Sequence, residues 1–354
     1  MEFGLFYTFE NRQEWGVPTT EVCREIFGQI RLAEELGYDS VWISEHHFDR
    51  NHFPSPSVRL GAIAAQTSRI KLGQSVALLP LHHPLEVAED GAVLDVISDG
   101  RFELGVGIGY VVKEFDVFGV PWRQRGSRMD EELSILKGLW INETFSYEGR
   151  YFKLDEVSLW PRPVQRPHPP IWVAALTSKA AERAGRHGCH LSGLWDPEAF
   201  RVYEEALRRS GYDPKDFSRA TFRMVHVAET RERAWENCAP HMLHVMAVHM
   251  PPLKEAGLYE DKEGGSMGMR VLPPPSELPE LAASGKAHFC ETPLMAGTPE
   301  DMIKEVEEVR KAGITHMQLW MQMGGIDPRK TRSSIRLFAK EVMPHFRNSG
   351  AGNA

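Results

Sequence analysis

Three ionisable residues, Glu45, His46 and His47, stand directly after a short apolar run of the chain. That run, 41–43, is rich in β-forming residues and is bounded by turn signals, so it predicts a buried strand. Burying a carboxylate and two imidazoles at the end of such a strand costs free energy unless they are paired or take part in chemistry. The pattern therefore predicts that this strand end forms one rim of an active site.

Two kinds of chemistry fit these three residues. Histidine and glutamate bind metals, but adjacent strand residues point to opposite faces, so His46 and His47 cannot both hold one ion while the strand continues. No second metal-binding motif accompanies them, and we expect no metal site. By the same alternation Trp42, Ser44 and His46 share the inner face. An imidazole there can act as an acid or base near neutral pH, whereas His47 is expected to pack outside.

Two other segments have residue types suited to ligand binding. The glycines of 105–109 lack the spacing of a dinucleotide fingerprint, so they indicate either close backbone approach to a flat ligand or a tight turn. Residues 174–178 end a predicted strand and open a helix. Free N–H groups and two hydroxyls there suit an anion, although ordinary N-capping is the commoner role of Ser178.

Composition narrows the class of protein. The 354 residues include 49 Asp and Glu against 41 Lys and Arg, a net charge of −8 with no basic stripe, which argues against a nucleic-acid partner. Four scattered cysteines without a C-x-x-C pair are typical of free thiols in a reducing compartment. No apolar run reaches about 18 residues and no secretory pattern is present. We therefore expect a cytoplasmic protein with no membrane segment.

The order of elements predicts how the site is held. Apolar strands alternate with helical segments in eight units, which favours a closed (β/α)8 TIM barrel with insertions over the rival doubly wound sheet. We expect one domain over residues 1–348 and a disordered tail at 349–354. A hairpin is predicted around Glu148 and Gly149. Residues 251–290 have no clear period and predict a long mobile loop.

Several segments, taken in order, resemble the bacterial luciferase-like family of flavin-dependent monooxygenases, and its limonene-monooxygenase-like branch in particular. They are residues 32–48, 78–84, 88–90, 94–101, 114–119, 145–149 and 161–173. The resemblance implies a TIM barrel that is often a homodimer. It also implies use of reduced FMN, which a separate flavin reductase supplies, and a small organic substrate.

The resemblance also carries over roles by position. His46 matches the family's active-site histidine and is the expected catalytic residue. Residues 75–76 match a strand end where the family often has a non-prolyl cis peptide beneath the flavin, 107–110 match a loop beside the flavin, and 174–178 match the loop on the phosphate side. The expected cofactor-binding residues are Ser75, Val76, Gly107, Gly109, Tyr110, Ala174, Ala175, Thr177 and Ser178.

Other residues separate the branches of the family. Ile108 stands where luciferase has an arginine, and 105–110 with Glu114 and Phe115 is similar to the branch that uses the deazaflavin F420. Residues 45–48 and 3–7 resemble the FMN-using branch. The expected function is a two-component monooxygenase that oxygenates its substrate through a C4a-(hydro)peroxyflavin. An F420-dependent reductase or dehydrogenase and a non-catalytic flavin-binding homologue are the alternatives.

Overall fold

Eight parallel strands form a closed ring at the centre of the protein. The computed structural model of the chain describes residues 1–48, 51–193, 196–255, 273–284, 288–289 and 292–347. Each strand pairs in parallel with its neighbour along the chain, and the last pairs with the first. This closure confirms the predicted TIM barrel and is incompatible with a doubly wound sheet. In chain order β1 to β8 are Glu2–Tyr7, Ser40–Ile43, Lys71–Gln74, Phe102–Gly107, Ile171–Ala175, His190–Gly193, Arg219–Val227 and His316–Trp320.

Helices connect the strands and cover the outside of the barrel, and local sequence explains where they begin. The sequence from Thr298 to Asp301 predicts a helix start, and there the Thr298 side chain accepts the N–H of Asp301 while the Asp301 side chain accepts the N–H of Thr298, a capping box. Asp-Pro pairs also predict helix starts at Asp196 and Asp327, and each aspartate accepts a single backbone N–H, from Glu198 and Arg329 respectively. The main helices are Thr19–Glu35, Pro56–Ala64, Pro84–Ile97, Arg125–Ile141, Ser178–Arg186, Pro197–Arg209, Arg231–Glu255, Pro299–Lys311 and Pro328–Leu337.

Shorter elements fill the connections. The predicted hairpin is confirmed as the antiparallel pair Phe145–Glu148 and Lys153–Val157. The helix Val112–Phe118 and the strand Met295–Gly297, which pairs with the end of β7, are among the elements that the sequence did not predict. The remaining short helices, helical turns and strands are Gln13–Trp15, Leu79–Leu81, Trp122–Gln124, Pro214–Asp216, Pro275–Glu277, Leu278–Ala283, His288–Phe289, Thr292–Pro293, Phe338–Val342 and Pro344–Arg347.

The third strand is shorter than its apolar pattern predicts. That pattern predicts one strand from Ile70 to Leu79, but β3 ends at Gln74. A cis peptide then joins Ser75 to Val76, at the position that the family resemblance implies, and pairing resumes only in the two-residue strand Ala77–Leu78, beside β4. The apolar pattern does not show this break, because residues on both sides of it are buried.

The segment predicted as a long mobile loop, 251–290, contains regular structure. Its first five residues continue the helix Arg231–Glu255, and 275–283 are helical, so that part of the prediction is wrong. Residues 256–272, 285–287 and 290–291, and the predicted tail at 349–354, lie outside the described residues. Among the helices that the structure describes, none combines the length and apolar character needed to cross a membrane.

An aromatic plug fills the inside of the barrel below its open end. Strand alternation turns Phe6, Trp42, Trp172 and Trp320 inward, and they pack together in one buried cluster. The rings of Trp42 and Trp172 meet edge to face with centroids 5.8 Å apart. Trp42 occupies space that glycine leaves free, since a Cβ on Gly73 would lie 2.1 Å from the Trp42 ring. The plug therefore forms a closed base beneath any ligand in the barrel.

Candidate active site

A pocket of about 210 Å³ opens at the end of the barrel where the strands finish. Active sites of such barrels lie at this end. Its walls are mainly apolar, with a small number of polar side chains between them, which is the usual composition of a site for an organic ligand. The predicted site residues that line it are His46, Ser75, Val76, Gly107, Gly109, Tyr110, Ala174 and Thr177.

His46 lies in the pocket, where strand alternation and the family resemblance both place it. Ser44 turns the same way and lines the pocket too. The His46 ring centroid is 4.8 Å from that of His52 and 5.4 Å from that of His249. Nδ1 of His249 is also 3.3 Å from the hydroxyl of Tyr110. Groups that exchange protons thus surround His46, which is the setting that acid–base chemistry needs.

Glu45 is buried and joins three parts of the rim. Its Oε1 is hydrogen-bonded to Nε2 of His47 at 2.5 Å and to Nε2 of His82 at 2.6 Å. Its Oε2 accepts the backbone N–H of Leu78 at 2.7 Å. Because Leu78 follows the cis peptide and lines the pocket, Glu45 fixes the pocket floor to the end of β2. The polar, proline-containing sequence around His82 predicts only a loop, but His82 is part of this network.

The same contacts govern the ionisation of this group. Burial alone would raise the pKa of Glu45, but the hydrogen bonds from His47 and His82 outweigh it and lower that pKa to about 2. Burial would lower the pKa of His82, and the bond to Glu45 outweighs that effect and raises it. The pKa of Glu45 falls and the pKa of His82 rises, as expected when each group stabilises the charged form of the other.

Glu45, His47 and His82 are also a possible metal-binding group, because their ligand atoms lie within 4.8 Å of one another. Neighbouring ligands of a tetrahedral zinc ion are roughly 3.3 Å apart, since each zinc bond is about 2.0–2.1 Å long. The Oε1–Nε2 separations of 2.5 and 2.6 Å are too short for that and suit hydrogen bonds. We therefore assign these three side chains to a hydrogen-bond network.

The pocket floor spans the barrel from β3 to β8. Ser75 donates its hydroxyl hydrogen to Oε1 of Gln318 at 2.7 Å, although the two residues are 243 positions apart. Beside this bridge, Val76 fills the space above Gly107, where a Cβ would lie 2.6 Å from Cγ2 of Val76. Gly109 has φ of +74°, a conformation that favours glycine. The glycines of this loop thus serve both close packing and a tight turn.

The loop after β5 brings a helix N-terminus to the pocket. Thr177 is the N-cap of the helix Ser178–Arg186, and its Oγ1 accepts the N–H of Ala180 at 3.3 Å. Capping was expected at Ser178, one residue too late. Ala174 and Thr177 line the pocket, whereas Ala175 faces the helix layer and Ser178 is not among the lining residues. Side chains of Ala175 and Ser178 therefore make no part of the pocket wall.

Sequence reasoning missed much of the opposite wall. Phe222 and Trp320 could have been found, because both fall on the inner face of predicted strands. His249 and Leu253 belong to a helix, and nothing in its local sequence shows that its end reaches the barrel mouth. The lining residues outside the predicted catalytic and cofactor-binding set are Phe6, Thr8, Ser44, Glu45, Leu78, Ile108, Leu176, Ala180, Ser192, Gly193, Phe222, His249, Leu253, Gln318 and Trp320.

A flavin is compatible with this pocket. Its apolar walls suit a flat aromatic ring, and the N-terminus of the helix Ser178–Arg186 suits a phosphate. Two buried polar atoms in the pocket, Oγ of Ser44 and Nε2 of Gln318, have no hydrogen-bond partner among the described residues. Buried polar atoms are seldom left unpaired in folded proteins, so they point to a polar ligand group at this position.

Fold and pocket together define a TIM-barrel protein with an apolar ligand pocket at the C-terminal ends of its strands. The chain belongs to the family of luciferase-like monooxygenases, whose family model matches residues 1–316. The uncharacterized protein y4vJ of Sinorhizobium fredii is 38% identical over 193 residues, and this match covers 54% of each chain, about half the length of that relative.

Longer matches connect the chain to enzymes with two different cofactors. It is 33% identical over 343 residues to an F420-dependent glucose-6-phosphate dehydrogenase of Amycolatopsis mediterranei, covering 92% of this chain and 96% of that protein. It is 25% identical over 368 residues to the oxygenase component of the flavin-dependent trigonelline monooxygenase of Acinetobacter baylyi, covering 99% and 96%. The crystal structure of monooxygenase RslO1 from Streptomyces bottropensis superposes with a TM-score of 0.76 at 26% identity, covering 98% and 100%.

Proposed function

We propose that the protein is the oxygenase of a two-component monooxygenase that uses reduced FMN and O2 to oxygenate a small organic substrate. One oxygen atom enters the substrate, the other leaves as water, and the flavin returns oxidised to a separate flavin reductase. The observation that carries this proposal is a single pocket in which an apolar wall, a helix N-terminus and His46 meet. The match along nearly the whole trigonelline monooxygenase component supports it.

Each part of the pocket has a role in this proposal. Reduced FMN, when bound, supplies the electrons and the site where O2 reacts. The helix N-terminus capped by Thr177 holds the phosphate. Apolar side chains such as Val76, Ile108 and Phe222 exclude water from the reacting ring. His46 holds or delivers one proton from its imidazole, with His52 and His249 beside it.

Anaerobic titration with reduced FMN, followed by rapid mixing with O2, tests the proposal. We expect saturable binding of reduced FMN and, on mixing, a transient absorbance that free reduced FMN does not give. Oxidation of the bound flavin at the rate of the free flavin would instead favour a non-catalytic flavin-binding protein. If reduced FMN does not bind, the proposal is wrong.

A second candidate is an F420-dependent reductase or dehydrogenase on the same barrel, with hydride transfer and no role for oxygen. The 33% identity to the Amycolatopsis mediterranei dehydrogenase, over 92% of this chain, specifically favours it. The same anaerobic titration with reduced F420 separates the two. Tighter binding of F420 than of FMN, together with turnover that does not depend on O2, would make this candidate the function.

A further inference from the structure

The amide of Gln318 has an unusual position in the barrel. It is 1% exposed, it lies on the inner face of β8, and it lines the pocket. Its Oε1 accepts the hydroxyl hydrogen of Ser75, but its buried Nε2 has no acceptor among the described residues. The pocket is thus the place where this N–H group can find one.

Another buried amide of the same protein shows what a structural glutamine looks like. Gln29 is 0% exposed. Its Oε1 accepts the hydroxyl hydrogen of Tyr7 at 3.2 Å. Its Nε2 donates to Glu25 at 3.0 Å and to Gln322 at 2.8 Å. Every polar side-chain atom of Gln29 is therefore hydrogen-bonded within the protein, whereas Nε2 of Gln318 has no acceptor among the described residues.

The orientation of the Gln318 amide is fixed by its surroundings. The amide reaches across the barrel to Ser75, and the bond from the Ser75 hydroxyl occupies Oε1 and leaves Nε2 as the donor. Ser44, on β2, presents a second buried hydroxyl to the same pocket without a partner among the described residues. The floor thus offers polar groups at defined places beneath apolar walls.

We propose that Gln318 is a ligand-binding, specificity-determining residue whose Nε2–H donates to a carbonyl oxygen, with the hydroxyl of Ser44 as a second donor. The proposal rests on the proposed function, because it assumes that an organic ring occupies the pocket. The carbonyl belongs either to the pyrimidine ring of the flavin or deazaflavin, or to the organic substrate. Both present the same acceptor, and titrations with matched ligands distinguish them.

The test compares the wild-type protein with Gln318→Met, which keeps the side-chain length and removes the N–H. Gln66→Met is the matched control, since Gln66 is exposed and outside the pocket. Circular dichroism first checks that each variant is folded. If Gln318→Met does not fold, Gln318→Asn replaces it, because a shorter amide withdraws the donor by one methylene.

The first titration measures Kd for reduced FMN and for FMN analogues with sulfur in place of one ring carbonyl oxygen. If the flavin supplies the carbonyl, wild type prefers FMN roughly tenfold, the scale of one hydrogen bond. Gln318→Met then loses that preference, and Gln66→Met keeps it. The second titration uses flavin-loaded protein with cyclohexanone and with methylenecyclohexane, which has a similar shape and no acceptor. If the substrate supplies the carbonyl, the same loss of preference appears there.

Three results overturn the inference: wild type shows neither preference, Gln318→Met keeps the preference that wild type shows, or Gln66→Met loses that preference equally. Failure of the proposed function gives a different result, because wild type then binds neither reduced FMN nor reduced F420. Binding of either flavin by wild type, with affinity and preferences unchanged in Gln318→Met, removes this inference alone.

Discussion

The two ends of the barrel use polar residues in opposite ways. At the end where the strands begin, Lys71 lies 2.9 Å from Glu2 and 3.4 Å from Glu103, and the indole of Trp172 donates to Glu103 at 2.7 Å. His316 is 3.1 Å from Glu2 as well. These charges satisfy one another. At the other end, polar atoms of Ser44 and Gln318 line the pocket and have no hydrogen-bond partner among the residues that the structure describes.

The difference shows which end is built for stability and which for ligands. Paired charges at the start of β1, β3, β4 and β8 tie those strands together. At the opposite end, Ser44 and Gln318 present hydrogen-bond donors to a ligand in the pocket. This agrees with the general division of labour in TIM barrels. Substitutions at the two ends should therefore affect different measurements.

The largest expected effect is on turnover, from His46→Ala at the pocket end. Loss of an acid–base group should lower kcat by roughly 10²–10⁴, with the Kd of reduced flavin and the unfolding midpoint little changed. Steady-state and single-turnover kinetics with the accepted flavin provide the measurement. His83→Ala is the control, since His83 is exposed and outside the pocket. Turnover within a few-fold of wild type in His46→Ala would contradict the assignment.

At the pocket end, the hydrogen-bond network of Glu45 also stabilises the fold. Glu45→Gln should therefore lower stability, so the pocket end is not used for ligand binding alone. The carboxylate pKa falls from 4.5 to about 2 on folding, so its contribution is present above pH 4.5 and disappears as the pH falls toward 2. The pKa of His82 is raised above 6.5, so its contribution is present below pH 6.5 and disappears as the pH rises through the folded value.

We therefore expect Glu45→Gln to lower the free energy of unfolding by roughly 2–3 kcal/mol, most strongly between these two limits. Urea denaturation of both proteins across the pH range measures this difference. Because Glu45 and His82 form one ion pair, their two pKa shifts describe the same interaction, and their contributions to the free energy of unfolding are not added together. A difference that is the same at pH 2 as at pH 6 would show that the ion pair is not its source.

Glu103→Ala tests the other end of the barrel. It removes the acceptor of the Trp172 indole and one partner of Lys71, and a buried donor left unpaired costs about 1–3 kcal/mol. The free energy of unfolding should fall by that amount, while Kd for flavin stays as in wild type. Glu103→Gln should recover part of the loss, since its carbonyl still accepts from Trp172. A large change in flavin affinity would break the proposed separation of the two ends.

The smallest effect is expected from Thr177→Ala, at the helix N-terminus beside the pocket. Loss of an N-cap costs about 1 kcal/mol of stability, and a frayed helix end should also weaken phosphate binding. The difference between Kd for FMN and Kd for riboflavin, which lacks the phosphate, measures the contribution of phosphate binding. Ser178→Ala is the paired control, because Ser178 does not cap the helix. Equal losses for FMN and riboflavin would place the phosphate elsewhere.

Local sequence patterns predicted the barrel and one side of its pocket well. The alternation of Trp42, Ser44 and His46 needs only the two-residue period of a strand, and the caps at Asp196 and Thr298 need only a few adjacent residues. Those features depend on residues within a single helix or strand, so one sequence is enough to predict them.

The remaining site residues depend on contacts between distant parts of the chain. His82 meets Glu45 only because two strand ends lie side by side, and Gln318 meets Ser75 only after the ring has closed. Nothing in the sequence around Gln318 distinguishes it from the fully bonded Gln29. The apolar pattern does not show the break after Gln74, since burial, and therefore hydrophobicity, is the same before and after it, and only the family resemblance implied a strand end and a cis peptide there.

In the part of the chain that the structure describes, the aromatic plug around Trp42 closes the barrel beneath the pocket, so we expect reactants to enter from the strand ends. If one ligand lies on this base and a second lies above it, the lower ligand has to bind first and leave last. Kinetics should therefore follow a compulsory sequence in which the deepest ligand enters first and leaves last. Excess of a ligand that belongs in the upper layer, added before the lower one, would then slow the reaction by blocking the entrance.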